Sequence, residues 1–468
     1  IAGILLAVMI AVTCVMYSMR EYMDQFLGTG KSHTVSSSGL KTDYIDFECE
    51  TQEEALKLAQ DMTQETAEEG IVLLKNKNNA LPLAADTKIT LLGYYGWHNN
   101  MAGGEDPATT SGAISLHKGI ENAFDTNKDV NSIYAGLKGD IAEKNVESTL
   151  DAKNSTFGTY NTAIVTLKRN SGEGNDQVMD SGAAENNRTG LTANRAEMKL
   201  IDYACKNFDK VIIVINAANT MELGFLDDND PNMNNGIYTD PYSNQQYDCS
   251  KIVGAFWAGC CGSQGGTAIA NILKGTVNPS GHTPDIYART LRNEPTYVNF
   301  SDFKYTNSAS LNSYATSSYF VEYEEGIYIG YRYHETAAKE AAEGNYDGYD
   351  YDTSVVYPFG YGLSYTTFTQ EYAETPVYDS ETQTYKFKVK VTNTGSRDGK
   401  GVAQIYVNVP YEDGQVEKAH VTLGGFAKTD VLEANGGTQT VDIEIKRDYF
   451  TSYDYKTEKA YVLDAGDY

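Results

Sequence analysis

Lys210–Asn216 reads KVIIVIN, five consecutive β-branched residues between a lysine and an asparagine. A short apolar run of this kind, with no polar residue alternating through it, is the pattern of a strand buried on both faces. Three further runs have the same character: Lys88–Gly93 (KITLLG), Thr162–Leu167 (TAIVTL) and Lys251–Trp257 (KIVGAFW). Between and after them lie stretches of helical character near Arg195–Phe208 and Thr267–Lys274. Strands alternating with helices predict a largely parallel sheet covered on both sides, an α/β domain. In such a fold the chemistry belongs to loops at the carboxyl ends of the strands.

Working outward, helical spacing begins at Thr51, with Ala55, Leu56, Leu58, Ala59 and Met62 three and four residues apart. Beyond about residue 355 the period changes to two. In Tyr385–Thr392 (YKFKVKVT) the apolar residues Tyr385, Phe387, Val389 and Val391 alternate with lysines and threonine. Ala403, Ile405, Val407 and Val409 alternate again, as do Val441, Ile443 and Ile445. Short alternating strands separated by turn residues predict an antiparallel β-sandwich. The last strand, Ala460–Asp464, stands close to Tyr468, and we expect the sandwich to be truncated there.

Ile1–Met19 carries no charge, and Arg20 follows it. Nineteen helical residues reach about 28 Å, close to the ~30 Å hydrocarbon core. No A-x-A-like cleavage site follows the run. The expectation is a transmembrane helix over 1–19 and a polar stalk over 20–50. The chain would then be a single-pass protein of the cell membrane with its folded domains extracytoplasmic.

Acidic residues outnumber basic ones 64 to 37, a formal net charge of -27, which repels phosphate backbones and excludes nucleic acid as a partner. The six cysteines form no CxxC pair, and the six histidines form no HExxH. No metal and no cofactor are expected. Asp228, Asp230 and Asn232 are spaced like the start of a calcium loop, but Met233 holds the position that requires glycine, so a solvated acidic loop is expected. Gly259, Gly262, Gly265 and Gly266 follow an apolar strand and open a helix, as nucleotide-binding glycines do. Their spacing is not G-x-G-x-x-G, and close helix–strand packing explains them better.

Several segments resemble glycoside hydrolase family 3, and in the family's order. Glu69–Asn76 (EGIVLLKN) with Leu81-Pro82-Leu83 looks like the start of its α/β sandwich domain. Gly275–Pro284, Tyr323–Tyr333 (YEEGIYIGYRY) and Tyr357–Phe368 (YPFGYGLSYTTF) are similar to its later loop, strap and linker. Val391–Pro410 with Gly424-Gly425-Phe426 looks like its fibronectin type III-like domain. The resemblance implies an α/β sandwich domain over 51–350 and a fibronectin type III-like β-sandwich over 355–468. It also implies a glycosidase, β-glucosidase-like, acting on a β-linked oligosaccharide or aryl β-glycoside.

A retaining glycosidase needs two carboxyl groups beside the scissile bond. Arg169–Asp176 (RNSGEGND), just past the strand Thr162–Leu167, is similar to the family's acid/base loop, which assigns the general acid/base to Glu173. Arg169 and Asp176 orient that loop, touch sugar or form a local salt bridge. Ser301-Asp302-Phe303 is superficially similar to the nucleophile motif but sits in the α/β domain with no barrel strand before it. The resemblance implies a permuted domain order, in which a C-terminal TIM barrel in cis, missing from these residues, supplies the nucleophile, so that the 468 residues are expected to be inactive alone. The alternative is a non-catalytic membrane-anchored carbohydrate-binding or scaffold protein.

Overall fold

The computed structural model describes residues 2–20, 49–97, 112–135, 150–169, 177, 188–300, 303, 320–412 and 414–468. Helix α1 occupies Ala2–Ser18. It ends at Ser18, so 17 residues are helical. They reach about 25 Å, short of the ~30 Å hydrocarbon core. Among the described residues no helix is long and apolar enough to cross a membrane. This overturns the expected N-terminal transmembrane helix, and the membrane as a partner and the single-pass placement lose their support with it.

Helix α2, Gln52–Gly70, opens on a reciprocal cap between Thr51 and Glu54. The strands after it are β1 (Val72–Asn76), β2 (Lys88–Leu92), β3 (Asp125–Thr126), β4 (Thr162–Lys168), β5 (Lys210–Asn216) and β6 (Ile252–Trp257). They form one sheet in the order β1-β6-β5-β4-β2-β3. Five strands run parallel, and β1 pairs antiparallel with β6 at the edge, Val72 opposite Trp257. The four longer parallel strands divide their side chains between two cores. Val211, Ile213 and Ile215 of β5 join one cluster and Ile212 and Val214 the other. The first core is covered by α4 (Lys128–Ala135) and α5 (Arg195–Asn207), through Val130, Tyr134, Met198 and Ile201. The second is covered by α3 (Leu116–Ala123) and α6 (Gly265–Lys274), through Leu116, Ile120, Ile269 and Leu273. A continuous run of β-branched residues is what a strand needs when water reaches neither of its faces.

Gly266, in the first turn of α6, has a packing role, although not the helix–strand one expected. A Cβ on Gly266 would lie 2.2 Å from the Ser115 carbonyl oxygen, and one on Gly119 would lie 2.0 Å from that of Gly266. The close approach is therefore between α3 and α6, helix to helix. Alanine at 266 gains up to about 1 kcal/mol of helix propensity, yet separating two backbones costs more, about 3 kcal/mol. Gly266→Ala should lower the unfolding midpoint in a thermal melt; an unchanged midpoint would refute the contact.

From Phe368 onward the chain is a β-sandwich. β9 (Thr384–Asn393) pairs antiparallel with β7 (Phe368–Tyr372) and β8 (Val377–Asp379) along one edge, and with β12 (Thr438–Lys446) along the other. β10 (Val402–Val407) and β11 (Thr422–Lys428) form the facing ribbon. Val389, Val391, Ala403, Ile405, Val441, Ile443 and Ile445 fill the space between. Lys386, Lys388 and Lys390 point outward to Asp379, Glu374 and Glu371. The α/β domain and the β-sandwich meet at Glu69, which receives both Lys400 and Lys428.

Candidate active site at the carboxyl ends of the parallel strands

The carboxyl ends of β4, β5 and β6 are tied into one floor. The Arg169 amide donates to the Asn216 carbonyl (3.1 Å) and the Ala258 amide to that of Ile215 (2.7 Å). The Asn216 side chain reaches the Gly259 carbonyl, and the Trp257 indole donates to the Ala217 carbonyl (2.8 Å).

Arg169 stands at this edge, and its guanidinium is wholly engaged. Nη1 donates to the Lys168 carbonyl and to Glu197 Oε1, both at 2.8 Å. Nη2 donates to Glu197 Oε2 (2.8 Å) and to the Thr192 carbonyl, and Nε to that of Gly190. Five donors meet five acceptors, the full capacity of the group. Glu197 also closes the start of α5, where its Oε2 accepts the Asn194 amide (2.8 Å) while Asn194 Oδ1 accepts the Glu197 amide (3.0 Å). Both side chains of this ion pair are 10% exposed or less.

A second buried arginine stands where the chain returns. Arg188, 2% exposed, donates to the Ala193 carbonyl (2.6 Å) and to Asp240 Oδ2 (2.6 Å). It also lies over the Tyr242 ring at 5.4 Å. Two arginines thus converge on residues 190–193, one from each end of the segment 170–187. Glu173 and Asp176 belong to that segment and lie outside the described residues, as do Ser301 and Asp302.

Beside the second arginine, Glu222 accepts the Tyr242 hydroxyl (2.7 and 2.9 Å) and the Leu291 amide (2.8 Å). Its own amide donates to the Leu191 carbonyl (3.0 Å). Burial pushes the Glu222 carboxyl above its ordinary pKa, against these hydrogen bonds. The folded chain therefore holds this proton at pH values where the unfolded chain has released it. Its stabilising contribution is present below the ordinary value of 4.5 and is lost as pH rises through the folded value. The unfolding midpoint of wild type should fall relative to Glu222→Gln as pH is raised from 4 to 8. A difference between the two melts that stays constant with pH would refute the shift.

The supposed calcium loop is only partly the solvated acidic loop expected: Asp228 is exposed, but Asp230 is buried. Asp228 pairs with Lys75 (2.8 Å) and Lys77 (2.9 Å), and Arg289 joins Asp227 and the buried Asp230. Sequence reading did not find Glu197, Arg188, Asp240, Glu222 or Tyr242. Only Glu197 left a local signal, the Asn194-x-x-Glu197 capping pattern that begins a helix.

An open α/β domain, with a glycine-rich acidic segment leaving its central parallel strands and a β-sandwich behind it, defines the class. The glycosyl hydrolase family 3 C-terminal domain matches residues 71–331, and a fibronectin type III-like domain matches 401–468. The chain belongs to glycosyl hydrolase family 3. Beta-glucosidase A of Butyrivibrio fibrisolvens is 29% identical over 454 residues, 87% of this chain and 48% of that protein. A beta-glucosidase of Ruminococcus albus is 30% identical over 311 residues, 66% of this chain and 26% of that one. Among solved structures, a beta-glucosidase from Paenibacillus barengoltzii superposes with a TM-score of 0.68 at 25% identity, covering 87% of this chain and 40% of that one. Beta-glucosidase 3B from Thermotoga neapolitana, solved with α-D-glucose, gives 0.63 at 25% identity, with 88% and 51% covered. The chain spans about half the length of the first of these relatives or less.

Proposed function

We propose that these residues supply the general acid/base of a retaining β-glucosidase, with Glu173 in that role. The observation that carries the reading is the position of RNSGEGND, leaving the carboxyl end of a central parallel strand within the residues that match the family. A barrel aspartate from outside these residues attacks the anomeric carbon while the Glu173 carboxylic acid protonates the departing glycosidic oxygen. The Glu173 carboxylate then takes a proton from water, whose oxygen displaces the aspartate, with net retention. Arg169 acts as a positioning residue, since its donors are spent on protein acceptors, and Asp176 serves the loop or the sugar.

The substrate class is a β-linked oligosaccharide or aryl β-glycoside, in keeping with the relatives' names. On this reading the α/β domain comprises 51–350 and the β-sandwich 355–468. Relatives that are beta-glucosidases favour it over a non-catalytic scaffold.

Two measurements test it. Proton NMR of the enzyme that carries both carboxylates should show the β-anomer released first; the α-anomer first would overturn retention. The 468-residue chain alone should leave 4-nitrophenyl β-glucoside intact. Turnover by it would put the nucleophile inside these residues and overturn the division.

A further inference from the structure

Helix α7, Tyr331–Ala342, forms one wall of an open cavity of about 420 Å³, within the range of small-molecule sites. Tyr328, Tyr333 and Tyr346 line it, together with Glu325, Glu340 and Asn345. Tyr346 is 42% exposed, yet it is held firmly. Its ring stacks on that of Tyr349 with centroids 5.9 Å apart and planes 16° apart, and its hydroxyl lies 3.2 Å from that of Tyr333. Tyr349 is fixed in turn, its hydroxyl 2.8 Å from Nδ1 of the buried His334, whose Nε2 lies 2.6 Å from Glu294. An exposed aromatic face fixed before any ligand arrives loses little entropy on binding.

The polar lining narrows the ligand. Glu340 accepts the Asn345 amide (3.0 Å), and Glu325 accepts that of Asn299. Among the described residues neither carboxylate pairs with a lysine or arginine. Anionic ligands are repelled, by these groups and by a chain of net charge -27. Tyrosine hydroxyls and an asparagine amide both donate and accept, as do the hydroxyls of a sugar, whereas an ammonium group only donates.

We infer that the cavity over α7, with Tyr346 as its platform, is a binding site for a neutral β-glucan oligosaccharide. The lining selects a neutral sugar; the choice of a β-glucan rests on the glycosidase reading.

The test is electrophoresis of the folded 468-residue chain through a native gel containing soluble mixed-linkage β-glucan. The wild type should be retarded. Tyr346→Ala should weaken binding about tenfold, the size of one lost aromatic contact. Glu340→Gln should weaken it less, and both variants should melt as the wild type does. Glu173→Gln should be retarded like wild type, so a failure of the acid/base assignment leaves this result standing. Equal retardation of wild type and Tyr346→Ala, or none for either, would overturn the inference. So would Tyr346-dependent binding of tetramethylammonium without retardation by glucan, which would mark a cation site.

Discussion

Glu173→Gln, in the enzyme that carries both carboxylates, is expected to lower kcat on 4-nitrophenyl β-glucoside by roughly 10²–10⁴, the usual worth of a positioned general acid/base. The loss should depend on the leaving group. A 2,4-dinitrophenolate departs without protonation, so forming the glycosyl-enzyme is nearly spared and its hydrolysis becomes rate-limiting. A burst of dinitrophenol followed by slow turnover is the expected trace. Glu173→Gly makes room for a small anion, and azide should restore rate by attacking the glycosyl-enzyme, leaving a β-glucosyl azide. The alkaline limb of the pH–rate profile should vanish in Glu173→Gln, because that limb reports loss of the acid's proton. Full activity in Glu173→Gln would make this residue a bystander and move the acid elsewhere.

The parallel strands were legible because their signal is local. A run such as KVIIVIN states its own burial, and period two in YKFKVKVT states which face of β9 is wet. The antiparallel placing of β1 was not legible, because Val72–Asn76 has the same apolar character as its parallel neighbours and the direction is set by the chain's path. The N-terminal run shows another limit. The run counts 19 uncharged residues, but a span also needs helix length, and the helix closes at Ser18. Charged partners are the hardest to read. Asp228 and Asp230 advertise negative charge, while their partners Lys75 and Arg289 lie far off in sequence.

The candidate site follows the same division. Sequence places a glutamate between glycines after a central strand, and this is the whole of the local signal for Glu173. What holds the two ends of that segment is long-range: Arg169 to Glu197, Arg188 to Asp240, and Leu191 to Glu222. On the proposed acid/base reading these anchors matter, since an acid misplaced by about 1 Å loses much of its effect.

That division makes the Arg169–Glu197 pair the place where the fold and the chemistry can be separated. Glu197→Ala removes two things at once, the partner of a buried guanidinium and the reciprocal cap of α5. Breaking a buried pair from one side costs about 3–5 kcal/mol, because the remaining charge stays buried, and the cap adds about 1 kcal/mol. Arg169→Met leaves the carboxylate at the helix N-terminus, where it still accepts the Asn194 amide, so it should destabilise less than Glu197→Ala. In the double variant no unpaired guanidinium remains, and its loss should fall well below the sum of the singles. Chemical denaturation of the four proteins measures this. Activity supplies the second axis. If Arg169 acts through the loop, Arg169→Met should lower kcat with KM little changed, at temperatures where it is fully folded. If it touches sugar instead, KM should rise with kcat held, and the loop-clamp assignment would fall.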